Sequence, residues 1–83
     1  MKDITETMSF RSEDLRRDTI KHVLRLVQEA LEERGYNAID QMVGYILSGD
    51  PSYITSHNNA RNVMGRIERD DLVEELIRAY LRR

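Results

Sequence analysis

From Leu15 onward the apolar residues recur at intervals of three and four. Leu15, Ile20, Val23, Leu24, Val27, Ala30 and Leu31 fall on one helical face, with Arg25, Glu29, Glu32, Glu33 and Arg34 on the other. Ser12 before Glu13 and Asp14 is an N-cap with acids in the first turn, and Gly35 suits a left-handed stop. The pattern predicts a long amphipathic helix over 13–34. Asn37 can cap a second helix over 39–47, whose face is Ile39, Met42, Val43, Ile46 and Leu47, flanked by Tyr45. A helix that apolar is expected to be covered on most sides, at the centre of the fold or in a subunit interface. Gly44 lowers helix propensity by ~1 kcal/mol against alanine, which predicts close approach of another backbone there. Asp50-Pro51 restarts the chain as a cap followed by proline at the first helical position, giving one short turn. Ala60, Val63, Met64 and Ile67 predict a fourth helix over 57–67, capped by Thr55 or Ser56. Asp70 is placed to cap a last helix with the stripe Leu72, Val73, Leu76, Ile77, Tyr80 and Leu81, supported by a Glu74–Arg78 pair. Tyr36, Tyr45, Tyr53 and Tyr80 stand at apolar positions or turns and are expected to pack in the core with the hydroxyl at its rim.

Residues 1–12 break the rhythm. Ile4, Met8 and Phe10 are their only large apolar groups after the first methionine, set among Thr5, Thr7, Ser9 and Ser12. This stretch is expected to be a flexible tail, leaving 13–83 as the helical domain. No segment alternates with period two without a better helical reading. The predicted class is therefore all-α: a small bundle of about five helices with a flexible N-terminal tail.

Size sharpens that picture. A folded monomer of 83 residues buries only about 64% of the surface of its extended chain, so the core is marginal and self-association is the expected aid. The chain has no cysteine, which removes disulfides and thiolate metal sites, and its two histidines, His22 and His57, lie far apart in sequence. No metal and no cofactor are expected. No stretch reaches the ~18 apolar residues of a membrane span, and the first residues lack the apolar core of a signal peptide, so a cytoplasmic location away from membranes is expected. Thirteen Lys and Arg against fifteen Asp and Glu give a net charge of −2, a poor balance for coating nucleic acid.

Few residues suggest chemistry. The glycines do not make a phosphate loop, and no paired histidines stand at metal-protease spacing. Asp70-Asp71 and Glu74-Glu75 fit a helix start and its wet face better than acid–base work. An enzyme is not expected. His57, Arg61, Arg66 and Arg69 form a local basic stretch suited to an acidic or phosphorylated partner. Two short helices around a glycine-bearing turn also suggest a helix-turn-helix, so a small DNA-binding protein is the alternative reading. Its reader helix would turn Met64 and Ile67 inward and offer few base-reading groups. Thr7, flanked by Asp3 and Glu6, stands where an added phosphate would change charge most cheaply.

The run Gly-Tyr-Asn-Ala-Ile-Asp-Gln-Met-Val-Gly-Tyr-Ile-Leu-Ser-Gly-Asp-Pro-Ser-Tyr-Ile over 35–54, followed by Ala60-Arg61 and by Glu-Arg-Asp-Asp-Leu-Val-Glu-Glu-Leu over 68–76, resembles the IreB family of regulatory phosphoproteins. The resemblance covers nearly the whole chain, from Glu6 to Leu81. It implies a small cytoplasmic helical homodimer with an N-terminal phosphoacceptor tail. The implied partners are a Ser/Thr kinase with extracellular PASTA repeats and its cognate phosphatase. In ReoM-like members the unphosphorylated form promotes proteolysis of MurA, the first committed enzyme toward peptidoglycan precursor, by the Clp protease machinery (ClpCP). By resemblance Thr7 matches the phosphoacceptor and Thr5 is secondary. The dimer would form on Ile39, Met42, Val43, Gly44, Ile46 and Leu47. The resemblance marks Arg61 within its Ala-Arg pair; with Arg66, Arg69 and His57 near it in sequence, we take the four as candidates for a partner-binding or phosphate-sensing surface. The sequence departs from the family pattern at Ala38, where proline is usual, at Thr55-Ser56, which replaces a proline and a basic residue, and at Gly65, where a bulkier or basic residue is common.

Overall fold

The computed structural model describes the backbone of residues 2–82 and the side chains of residues 16–82. Helix α1 spans Lys2–Glu33, α2 spans Ala38–Ser48, α3 spans Ala60–Met64 and α4 spans Arg69–Leu81. Single 3₁₀ turns at Pro51–Tyr53 and His57–Asn59 lie between α2 and α3. Among the described residues the fold is entirely helical, with four α-helices where the sequence pattern predicted about five.

The difference lies in the middle. The predicted short helix after Asp50 is one 3₁₀ turn, and the predicted helix over 57–67 is cut to five residues. Asn58 and Asn59 both take left-handed conformations, with φ of 54° and 63°, so no helix can run through them. The first helix differs the other way: its backbone is helical from Lys2, without a break at Ser12. The side chains of the expected tail, Thr5 and Thr7 included, lie outside the described residues.

Helix α1 is the spine. Ile20, Val23, Val27, Ala30 and Leu31 are all buried, as their spacing predicted. Onto them pack Ala38 and Tyr45 from α2, Ile54 from the loop, Ala60 and Met64 from α3, and Leu72 from α4. At the end of α1 the Tyr36 amide donates to the Leu31 carbonyl at 2.9 Å and the Gly35 amide to Glu32 at 3.0 Å, a Schellman closure. Asn37 caps α2, its side-chain oxygen accepting from the Asp40 amide at 3.0 Å. Helix α4 starts one residue before the expected cap, so Asp70 sits inside its first turn and Glu68 is the N-cap.

Of the two places its apolarity suggested, the centre of the fold and a subunit interface, helix α2 does not take the first. It turns only Ala38 and Tyr45 fully into the core, with Met42 and Ile46 half-buried against it. Ile39, Val43 and Leu47 face outward and are 70%, 48% and 79% exposed. Of the four tyrosines expected at the rim of the core, only Tyr45 is buried; Tyr36, Tyr53 and Tyr80 are exposed. Tyr53 supplies the reason for Gly44. A Cβ on Gly44 would run into the Tyr53 ring, so the close neighbour there is an aromatic ring of the same chain and not a backbone.

Candidate functional site

Two kinds of surface stand out. The first is apolar. Ile39, Val43 and Leu47 recur every fourth residue along α2 and form one continuous outer ridge. A second exposed apolar group, Leu76, Ile77, Tyr80 and Leu81, occupies the C-terminal half of α4. Scattered apolar side chains are ordinary on a monomer surface, but a ridge on one helix face is the usual mark of an interface.

The second surface carries the basic residues of 57–69. The structure ties three of the four to other parts of the chain. Arg61 Nε donates to the Ile54 carbonyl at 2.8 Å and holds the loop after the first 3₁₀ turn. Arg69 donates to the Ile46 carbonyl at 2.8 Å, from the start of α4 back to the last turn of α2. A cation there satisfies an end-of-helix carbonyl and faces the negative pole of the helix. Gly49, at φ 76°, makes this possible twice over: it closes α2 in a left-handed conformation, and a Cβ there would meet the Arg69 guanidinium at 2.8 Å. His57 Nε2 lies 2.7 Å from Glu33 Oε1, and the same carboxylate oxygen accepts from Asn58 Nδ2 at 3.3 Å. Glu33 thus pins the left-handed asparagine corner to the end of α1. Arg66 is exposed and lines a separate cleft with Arg16, Thr19 and Asp71. The four residues do not converge on one cleft among the described residues.

Sequence reasoning had no signal for these ties, because each partner is a backbone carbonyl or a distant carboxylate. It did anticipate Asp50. That carboxylate accepts from the Ser52 amide at 2.9 Å and the Ser52 hydroxyl at 2.8 Å. Those bonds hold its pKa below the usual carboxylate value of 3.8, and the Arg61 charge adds to the lowering. Replacing Arg69 with alanine is expected to cost about 1 kcal/mol of stability through the lost bond to α2. Urea unfolding checks this, and an unchanged midpoint would mean that the bond contributes nothing.

The geometry does not support the DNA-binding alternative. Helix α3 is only five residues long, and the helix after it opens with Asp70, Asp71, Glu74 and Glu75. Carboxylates in that position repel the phosphate backbone. Among the described residues, no group of three or more His, Asp or Glu side chains could hold a metal ion, and no helix is long and apolar enough to cross a membrane.

Among the described residues the structure defines a small all-helical domain with outward apolar ridges, in which three of the four candidate basic residues are tied to other parts of the chain. The family model described as IreB regulatory phosphoprotein matches residues 5–82. A UPF0297 protein of Ruminiclostridium cellulolyticum is 53% identical over 78 residues, covering 94% of this chain and 89% of the relative. The chain belongs to the IreB family of regulatory phosphoproteins.

Proposed function

We propose that this chain is a non-enzymatic switch in cell-wall control. It is a homodimer joined on the α2 ridge, and a PASTA-type Ser/Thr kinase phosphorylates it at Thr7, with Thr5 as a secondary acceptor. A cognate phosphatase removes the group. The unmodified form engages the Clp protease machinery and promotes proteolysis of MurA in the cytoplasm, and the phosphorylated form does not. His57, Arg61, Arg66 and Arg69 contribute to the partner surface, either directly or by fixing the loops that present it.

The observation that carries this reading is the family match, whose description is that of a regulatory phosphoprotein and whose span takes in both threonines. Physical chemistry supports the choice of segment. Thr5, Thr7 and Ser9 are weak helix formers, so opening this stretch for a kinase costs little. A phosphate there adds close to two negative charges beside Asp3 and Glu6, a large local change in a chain with a net charge of −2. The ridge Ile39, Val43 and Leu47 supports the dimer, because a second copy would cover what one copy leaves in water.

Incubation with a PASTA-type kinase and mass spectrometry tests the switch. Phosphate is expected on Thr7. Thr7→Ala should lose nearly all incorporation, Thr7→Ser should retain it, and Thr5→Ala should retain most of it. Modification confined to residues beyond 12, or none at all, would overturn the reading.

A further inference from the structure

Away from the surfaces already described, α1 and α4 gather a dense group of charges around one open cleft of about 110 Å³. Arg16 and Arg17 come from α1, Arg78 from α4 and Arg82 from the residue that follows it, with Asp71, Glu74 and Glu75 among them. Each guanidinium already has a carboxylate. Arg16 lies 3.4 Å from Asp71, Arg78 lies 2.6 Å from Glu74 and Arg82 lies 3.2 Å from Glu75. Arg17 lies 3.9 Å from Asp18. The arginine field is felt at Glu74, whose pKa is lowered mainly by its bond to Arg78 and by that residue's charge, with a smaller contribution from Arg16.

Counting Asp18, the partner of Arg17, four carboxylates balance the four guanidinium groups, so a phosphate has to displace carboxylates to bind here. Most of these groups are about half exposed, Glu75 being the exception at 17%, so most of the pairs are weak and exchange readily. A phosphate monoester brings more charge than any one carboxylate and three acceptor oxygens, and guanidinium forks bind such groups in pairs of hydrogen bonds. The cluster is therefore poised to trade carboxylates for a phosphate.

A phosphate on this chain can reach it. Along the helix, Thr7 lies about 14 Å from Arg16, at 1.5 Å per residue. If the intervening residues unwind, the same stretch can span up to ~30 Å, enough to turn back onto the cluster. A tether that short also holds the phosphate at a high effective concentration.

We propose that phosphorylated Thr7 docks on Arg16, Arg17, Arg78 and Arg82 of its own chain, drawing the segment before Arg16 out of its helical course and down against α4. This rests on Thr7 being the acceptor, and it says what the phosphate does next. An apolar groove of about 370 Å³, walled by Ile20, Leu24, Leu76 and Ala79, adjoins the cluster and shares Arg17, Glu75 and Arg82 with it. A docked segment would lie across that shared edge. The two forms would then offer a partner different surfaces, with no change in the bundle.

The test uses the full chain with phosphothreonine at position 7, made by ligating a synthetic N-terminal segment, and follows the phosphate by ³¹P NMR titration. No kinase is involved, so a negative result concerns docking alone, while the kinase assay judges the acceptor site. In a free phosphopeptide of residues 2–12 the second phosphate pKa should lie near its usual ~6; in the full chain it should fall by about one unit. The fall should survive dilution, vanish in the double variant Arg16→Gln, Arg78→Gln, and persist in Arg25→Gln. Salt alone, with no substitution, should also return the value toward that of the peptide. A full-chain value equal to the peptide's would overturn the proposal. So would a shift that persists in the double variant, or one that fades on dilution. Inorganic phosphate added to the unmodified chain separates the sources: cluster resonances that move with it, while the phosphothreonine stays unshifted, would also count against docking.

Discussion

Val43→Glu is expected to leave the protomer folded and turn the proposed dimer into a monomer. Val43 stands in the middle of the outer ridge of α2, between Ile39 and Leu47, and is about half exposed in the single chain. A glutamate there can keep its carboxylate in water, so the cost to the protomer should stay within about 0.5 kcal/mol. In a twofold interface built on the same ridge, that carboxylate loses its water and faces the partner's ridge, which now carries the same charge. An unpaired buried charge costs about 3–5 kcal/mol, or roughly a thousandfold in dissociation constant at 1.4 kcal/mol per tenfold. Sedimentation over a range of concentrations would read the mass, and circular dichroism the fold. A variant that stays dimeric would remove the α2 ridge as the interface. A variant that unfolds would mean that Val43 supports the protomer itself.

That prediction turns on a distinction the sequence could not draw. The apolar face of 39–47 was legible, because Ile39, Met42, Val43, Ile46 and Leu47 recur at helical spacing. What covers each side chain was not. Periodicity says that a face avoids water; it does not say whether the same chain or another copy provides the cover. The structure divides the helix instead, with Ala38 and Tyr45 inward and Ile39, Val43 and Leu47 outward. Several local signals were read well for the same reason that global ones failed, although the caps expected at Ser12 and Asp70 do not form. The Asn37 cap, the Asp50-Pro51 restart and the Glu74–Arg78 pair each involve residues within four positions of one another. The break at Asn58 and Asn59 was missed because Ala60, Val63, Met64 and Ile67 keep helical time only after it, and no apolar residue over 57–59 tests the phase before Ala60. The corner is held from outside, by Glu33, 25 residues from Asn58 in sequence. Arg69 likewise finds its carbonyl 23 residues away, and His57 its carboxylate 24 away. A basic stretch that reads as a free surface is in large part a set of long-range ties. The arginine cluster of α1 and α4 escaped notice for the opposite reason: its members are more than 60 residues apart in the chain, from Arg16 to Arg78, and only the crossing of the two helices joins them.

Ile54→Ala should be among the most damaging single truncations in the chain. Ile54 follows a 3₁₀ turn whose residues, Pro51, Ser52 and Tyr53, are all exposed, yet its own side chain is among the largest that are fully buried. Its carbonyl holds Arg61, so the residue fastens the loop at two points. Removing the buried methyl and methylene groups leaves a cavity, at a cost of about 2–5 kcal/mol. At 0.05–0.15 kcal/mol per residue the whole domain commands only about 4–12 kcal/mol, so this one change can consume half of it. Leu47→Ala removes a similar volume from a side chain that is 79% exposed, and should cost the protomer less than about 0.5 kcal/mol. The two variants together separate the protomer's own core from its interface. Urea unfolding should show a large, concentration-independent loss for Ile54→Ala, and for Leu47→Ala a loss that grows as the protein is concentrated into the dimer range. Equal losses at the two positions would mean that the outer ridge is already covered within one chain, and the dimer would then need another face, the exposed Ile77, Tyr80 and Leu81 of α4 being next in order.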